Sequence, residues 1–428
     1  MQTRWLDRAL NKLTSFFNRY PEWLTSSAVM FLLAFSAFAH VLLRPWLLIS
    51  GNDLLIYYFW EHFTREQFAA GQLPLWNPYI LSGYPAVGNP QVMIFYPPAL
   101  LLRLLPINYA FGVGYALHVG WLGLGTYWLM RWNGLTRKGA YVAAIAFMFS
   151  GFVIPRVDAG HVDLLYSVAW MPWAIGLWQK TLQTGSWRWA ILSGLVVGLH
   201  FLGGHPATLI LTVILMLIAT GNWFVFQSKH MNWKELLARA GLGALAFAVV
   251  IGGFAVQLLP TVELIRLSTH AEGLLRDCGL PFALTLPDLS SIALAAIPFD
   301  VFLPWERNGY FGAFALILAL IGLTRGTPPE SKRFKPFLIA ALAVGLLFGF
   351  NPSLPFFSLE ARLLPAVSSF RVPSRFMLYG CFAGAGLAGI GFESITARMK
   401  AGESLPRWPI FVALALAAFF PTAGHAAA

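Results

Sequence analysis

The sequence predicts an all-α, polytopic membrane protein of about eleven transmembrane helices. Of its 428 residues, 58% are hydrophobic and only 11% charged, with a mean hydropathy of +0.66. A soluble domain carries about 25% charge. Apolar runs able to cross roughly 30 Å of hydrocarbon recur throughout. They lie near 25–43, 108–130, 139–155, 163–178, 189–203, 206–226, 237–259, 310–324, 335–350, 374–396 and 408–424. Unpaired backbone groups are costly in lipid, so such runs fold as helices rather than as open sheet.

Residues 1–24 hold Arg4, Arg8, Lys12 and Arg19 and read as a cytoplasmic N-terminal segment, with 25–428 as a single transmembrane domain. A cleaved signal peptide with processing at Ser36-Ala37-Phe38-Ala39 competes with this reading. The stretch before the apolar run is long for a signal peptide, so an uncleaved anchor is expected.

After the first span comes the longest polar-aromatic stretch, the outer loop 50–107, which is the expected seat of an active site. Residues 54–70 are expected to form a helix lying on the membrane, capped by Asn52 or Asp53. Glu61 with Arg65, and His62 with Glu66, stand four apart on it. Tyr57, Tyr58, Phe59, Trp60 and Phe63 make its aromatic side. Gly71 ends it, and Pro74, Pro78, Pro85, Pro90, Pro97 and Pro98 exclude regular structure from 72–98. A second short interfacial helix is expected from Pro98 to Leu105. The remaining outer polar segments are 156–163, 260–309 and 351–373.

The net charge of +11 invites a nucleic-acid reading, but its distribution follows topology. With the N-terminus inside, inner segments collect cations such as Arg131, Arg137, Lys138, Lys180, Arg188, Lys332 and Arg333, and most acids fall outside. That is the positive-inside bias. It predicts a multi-pass protein of the inner (cytoplasmic) membrane whose working face is outside. No nucleic-acid motif accompanies the charge. Cys278, in an outer loop, and Cys381, within a helix, make no disulfide framework.

Several outer residues are able to carry chemistry. Asp53, at the end of the first span, is either a helix cap or a general base. In Arg156-Val-Asp158-Ala-Gly-His161-Val-Asp163, charge clusters where a span surfaces. It reads either as a solvated turn or as a set of catalytic and ligating groups, with a divalent metal allowed but not required. His205 in Gly203-Gly204-His205-Pro206 reaches the same face as Asp53, whereas His200 reads as a satisfied polar group. Arg371 and Arg375 open the tenth span from outside, against the insertion bias. They suit an anionic headgroup such as phosphate, or they snorkel; Arg276, Arg307 and Arg362 are weaker cases. The glycines from Gly380 to Gly391 mark a close-packing face.

Taken in order, these residues resemble the YfhO-type bacterial membrane proteins. The motifs are Gly51-Asn-Asp53, Pro74-Leu-Trp76-Asn77-Pro78-Tyr79, Gly83-Tyr84-Pro85, Asn89-Pro90-Gln91 and Phe95-Tyr96-Pro97 in the first outer loop. Phe149-Ser150-Gly151-Phe152, Gly160-His161, Ala169-Trp170-Met-Pro172, Gly204-His205-Pro206 and Phe370-Arg371-Val-Pro373-Ser-Arg375 follow. That family is similar to the GT-C glycosyltransferases, membrane enzymes that use polyprenyl-phosphate-linked sugars. The resemblance implies a GT-C-like core with horizontal helices in the first outer loop, and Asp53 as catalytic base. It departs in two ways: Asp53 is followed by Leu54 rather than by a second acid, and the family's members run longer.

The expected function is therefore transfer of a sugar, with inversion, from a polyprenyl-phosphate donor to a cell-envelope polymer or lipid acceptor. Asp53, His161 and Asp158 are the expected catalytic groups. Arg371, Arg375 and Arg156 would grip the phosphate. His205, Trp76, Asn77, Tyr79, Asn89 and Gln91 are expected to bind substrate, with Tyr84 a further stacking aromatic. A transporter or flippase of a lipid-linked envelope intermediate is the rival. It needs ionisable groups near mid-membrane, where mainly His40, His118 and His200 fall. A scaffold for envelope assembly is the non-enzymatic alternative.

Overall fold

Proline sets where many of the helices begin. It occupies an early helical position or the residue just before the helix in seven of the sixteen described here, where its fixed φ suits helix entry and its missing N–H leaves nothing unpaired. The computed structural model describes residues 20–48, 51–227, 231–268, 284, 291–292, 306–325, 328–349 and 372–402. In chain order the helices are α1 (Glu22–Ala37), α2 (Ala39–Leu42), α3 (Asn52–Ala69), α4 (Pro97–Leu102), α5 (Ile107–Trp132), α6 (Arg137–Met148), α7 (Ile154–Ala159) and α8 (Val162–Val168). They continue with α9 (Met171–Thr184), α10 (Trp187–Leu202), α11 (Pro206–Gln227), α12 (Trp233–Gly253), α13 (Ala255–Arg266), α14 (Ala313–Thr324), α15 (Lys335–Gly349) and α16 (Met377–Lys400). Among the described residues, extended pairing is confined to one isolated bridge between Asn77 and Tyr84.

Two helices organise the bundle. α5 packs against α1, α6, α8 and α9, and α16 packs against α14, α6 and α15, so α6 joins the two hubs. α16 is buried along nearly its whole length, and its glycines explain how. A Cβ on Gly391 would come within 1.8 Å of the Leu318 carbonyl oxygen, and one on Gly322 within 2.1 Å of that of Leu387. Any side chain at either position would force α14 and α16 apart, which is the close-packing face expected from the sequence.

The all-helical expectation holds among the described residues, which do not confirm the count of eleven spans. Among the described residues three helices are long and apolar enough to cross a membrane, Pro206–Gln227, Trp233–Gly253 and Pro373–Lys400, with four shorter apolar ones at Glu22–Ala37, Trp187–Leu202, Ala313–Thr324 and Lys335–Gly349. Several apolar runs are broken. The run 139–155 stops at Met148, and 163–178 divides into α8 and α9, whose first turn holds Pro172. The run 237–259 divides at Phe254 between α12 and α13. Apolar content alone cannot reveal such elbows, because the residues on both sides are apolar. The run 408–424 lies outside the described residues.

The end of the bundle away from α3 is tied by an acid at the start of α1. Glu22 accepts from Tyr127 at 2.7 Å, from Arg131 at 2.5 Å, and pairs with Arg137 at 3.0 Å. Burial pushes this carboxyl up, but the hydrogen bonds of Arg131 and Tyr127 and the Arg131 charge overrule it and hold its pKa at about 2. A depressed acid contributes stability above its unfolded pKa and loses it as pH falls through the folded one. Thermal unfolding in detergent is therefore expected to show Glu22→Gln melting earlier than the parent at pH 7, the gap closing as pH falls from about 4.5 towards 2.

Candidate functional site

α3 buries a helical stripe of Leu54, Tyr57, Phe63 and Thr64 and leaves Leu55, Ile56 and Phe59 exposed. Asp53, one of its two expected caps, does not cap it. Gly51 precedes the first turn with no capping hydrogen bond, and Asp53 lies inside that turn. Freed from capping, the Asp53 carboxylate meets His161, Oδ2 to Nε2 at 2.9 Å. The carboxylate is 51% exposed and the imidazole 9%. His161 Nδ1 is buried without a hydrogen-bond partner among the described residues. The expected ion pairs of α3 form, Glu61 with Arg65 at 2.9 Å and His62 with Glu66 at 3.5 Å.

Backbone contact creates the Asp53–His161 pair. A Cβ on Gly51 would meet the Asp158 carbonyl oxygen and Gly160 nitrogen at 2.6 Å, and one on Gly160 the Leu54 nitrogen at 2.4 Å. Gly160 also sits at φ 85°, ending α7 in the left-handed region that favours glycine. Two bare backbones thus touch, and the side chains on either side of the contact are brought together.

Beside this pair, Asp163 collects donors. Its Oδ1 accepts from the Tyr57 hydroxyl and the Leu164 N–H, both at 2.6 Å, and its Oδ2 from Gln91 Nε2 at 2.8 Å. Burial, then the Asp163 charge, pushes the Tyr57 hydroxyl far above its ordinary pKa, so it remains a donor. Asn89 caps the 3-10 turn Pro90–Val92 by accepting the Gln91 N–H at 3.1 Å. Asn89 and Gln91 therefore shape the loop and hold Asp163, rather than standing free. Arg103, which the sequence did not single out, fastens the same loop. It donates to Glu61 at 3.1 Å and to the carbonyl oxygens of Val92 and Met93 at 3.1 and 3.3 Å. Arg65 takes the carbonyls of Arg103 and Leu105 at the end of α4.

The cations expected to hold an anion have a partner of their own. Glu306, for which nothing in the sequence argued, accepts from Arg156 Nη2 and Arg375 Nη2, both at 2.9 Å. Arg156 is fully buried, lies 3.7 Å over the Phe152 ring and donates to the Phe152 carbonyl at 2.8 Å. That corrects its expected role: Arg156 is enclosed as half of an ion pair, not open to a ligand. Burial pushes Glu306 up, but Arg375 and Arg156 together hold it far below the usual carboxylate range. Arg375 remains 20% exposed. Arg371 lies outside the described residues.

His205 completes this cluster. Burial lowers its pKa to about 4, so the ring is neutral near pH 7. Its Nδ1 accepts the Thr208 N–H at 3.1 Å at the start of α11, which assigns the ring proton to Nε2. That nitrogen faces Arg375 Nη1 at 3.0 Å. A guanidinium and an imidazole N–H thus stand side by side, two groups whose chemistry suits an oxyanion. Charge couples the two halves of the site. His161 acts on both Glu306 and His205, and Asp163 acts on both Arg375 and His205.

The other expected residues are dispersed. The Asp158 carboxylate is exposed and makes no hydrogen bond among the described residues. Trp76 and Tyr79 are exposed, Asn77 is buried in the turn they flank, and Tyr84 pairs with Asn77 through the backbone at 2.9 Å. His118 is a satisfied core group, bonded to the Tyr96 hydroxyl and the Gly114 carbonyl, both at 2.7 Å. His200 bonds Thr208 Oγ1 at 3.3 Å. Among the described residues, no group of three or more His, Cys, Asp or Glu side chains is placed to hold a metal ion. Cys381 is buried and Cys278 lies outside the described residues.

No protein-family model matches this chain, and no characterised protein matches its sequence. Among solved structures, the mycobacterial arabinofuranosyltransferase AftD, determined by single-particle cryo-EM, is similar over 94% of this chain and 26% of its own length, at 18% identity and a TM-score of 0.49. One class of a point mutant of that protein matches over 92% of this chain and 27% of its own length, at 17% identity and a TM-score of 0.48. This chain thus spans roughly a quarter of AftD.

Proposed function

We propose that this chain is an integral-membrane glycosyltransferase that moves a sugar from a polyprenyl-phosphate donor to a cell-envelope acceptor on the non-cytoplasmic face. The observation that carries the reading is the half-exposed Asp53 carboxylate held 2.9 Å from His161, coupled by charge to the neighbouring Arg375–His205 pair. Asp53 takes the proton of the acceptor hydroxyl. The freed oxygen attacks the anomeric carbon as the bond from that carbon to the phosphate oxygen breaks, and polyprenyl phosphate leaves with the electron pair. Inversion follows from attack opposite the leaving group. Arg375 and His205 meet the charge that develops on the departing phosphate. His161 orients Asp53, and Asp158 lends the pair negative potential from the solvent side. Arg156 acts only through Glu306.

The direct test is transfer from radiolabelled polyprenyl-phosphate sugars, offered as a panel to proteoliposomes of the full chain with envelope extract as acceptor. Label is expected in the extract only when donor and acceptor meet the face that carries α3. If no donor in the panel loses its label, the reading is wrong; if labelled intermediate crosses sealed vesicles unchanged, the transporter is right instead.

Position is expected to matter as much as identity. Gly160→Ala adds a methyl where the Leu54 nitrogen would lie 2.4 Å away. Displacing reacting groups by about 1 Å costs on the order of 10²-fold in rate. The variant should therefore lose transfer on that scale while reaching the membrane at normal abundance, as read by initial rates normalised to immunoblot.

A further inference from the structure

α14 and α15 each pack on α16, and a cavity of about 230 Å³ separates them from one another. Leu320 on α14 and Leu342 and Leu346 on α15 are its walls, and Gly380 and Gly384 on α16 are its floor. None of the described residues that line it carries a polar side chain. The walls are partly exposed rather than buried, so the cavity is a slot and not a sealed void. α14 and α15 also carry the exposed Phe314 and Leu347, as helices in contact with lipid do.

The floor is open by design of the sequence. A Cβ on Gly384 would meet the Phe311 ring at 2.6 Å, but one on Gly380 would meet only the Met377 sulfur, at 2.9 Å. Glycine at 380 therefore widens the slot instead of letting a neighbouring helix close over it. Leaving such a space empty costs stability in proportion to its volume. Water is no remedy, since an apolar cavity of about 150 Å³ stays dry and takes up small hydrocarbons instead. A larger one, open along two apolar helices, suits a hydrocarbon chain.

One end of the slot adjoins the cation cluster. Met377 follows Arg375 by two residues and Gly309 follows Glu306 by three, and both line the slot. From there it follows α16 to Leu387, ten residues beyond Met377, or about 15 Å at the helical rise of 1.5 Å per residue. About 230 Å³ spread over that length is room for one chain, not for two side by side. We infer that the slot holds the first stretch of a single-chain lipid phosphate whose phosphate meets Arg375 and His205, and that it rejects a two-chain phospholipid. The protein then reads the chain next to the phosphate and ignores the remainder. Identifying this lipid as the sugar donor rests on the glycosyltransferase reading; the slot is testable alone.

Photoaffinity labelling of the full chain in nanodiscs, with farnesyl phosphate carrying a diazirine at the far end of its chain, reads occupancy without turnover. Peptide mass spectrometry should place the label on slot residues of α14, α15 or α16. Unlabelled farnesyl phosphate should compete, and dioleoyl phosphatidic acid at the same concentration should not. Gly380→Leu and Leu346→Trp fill the slot from separate helices. Each should cut labelling at least about tenfold, the worth of about two buried methylene groups. In a transfer assay both should raise the donor KM on that scale and leave kcat near the parent's. Label that falls elsewhere, or equal competition by phosphatidic acid, overturns the slot from the parent protein alone, so variants that fail to fold do not shield it. An unlabelled slot overturns it as well, in favour of the chain's own apolar run 408–424 as occupant. Slot labelling in a protein that transfers no sugar leaves the slot standing and sinks the transfer reading alone.

Discussion

Asp53→Asn is expected to lower sugar transfer by about 10²–10⁴-fold, the usual worth of a positioned general base, with insertion and abundance unchanged. The second half follows from position. Among the described residues Asp53 caps nothing, is half exposed and pairs with His161. An asparagine of nearly equal shape keeps that contact and removes only the ability to take a proton. Initial rates against a polyprenyl-phosphate donor, with the variant's abundance measured in the same membranes, check the result. Near-parent transfer would remove Asp53 as the base. His161→Gln should fall less steeply, because it withdraws orientation rather than the proton acceptor.

Glu306→Gln is expected to have the largest effect on stability. The acid neutralises two guanidinium groups, one of them fully buried. Breaking a buried pair from one side costs about 3–5 kcal/mol, because the abandoned charge stays in low dielectric. The variant should melt well below the parent in detergent. Arg156→Met in the same background should recover part of the loss by removing one stranded charge. If Glu306→Gln melts with the parent, the two arginines are compensated elsewhere. Because Glu306 is held far below the usual carboxylate range, its contribution is fully present above about pH 4.5 and declines only as pH falls through the folded value. Mild acid should therefore leave this tie intact.

The parts of the site legible in the sequence are those governed by local spacing. The helix over 52–69, its i,i+4 pairs and the proline-pinned loop after it all follow from neighbours within a few residues. What the sequence hides is long-range pairing. Glu306 sits 150 residues from Arg156 and 69 from Arg375, in a loop where one more acid carries no distinguishing pattern. Arg103 reads as an interfacial cation until its bonds to Glu61 and to the Val92 and Met93 carbonyls are visible. The span count is obscured for a different reason. Elbows such as those at Trp170 and Phe254 are as apolar as the helices they join, so hydropathy runs straight through them.

Because two side-chain-free backbones in contact, Gly51 and Gly160, fix the separation of Asp53 and His161, that separation behaves as a rigid gauge rather than a packing average. Changing the host lipid's acyl length will strain the exposed helices α11 and α12 first, since little of either is shielded by the rest of the protein. The gauge sits outside that load path. Thin and thick bilayers should accordingly alter how long the protein survives far more than how fast each surviving molecule turns over.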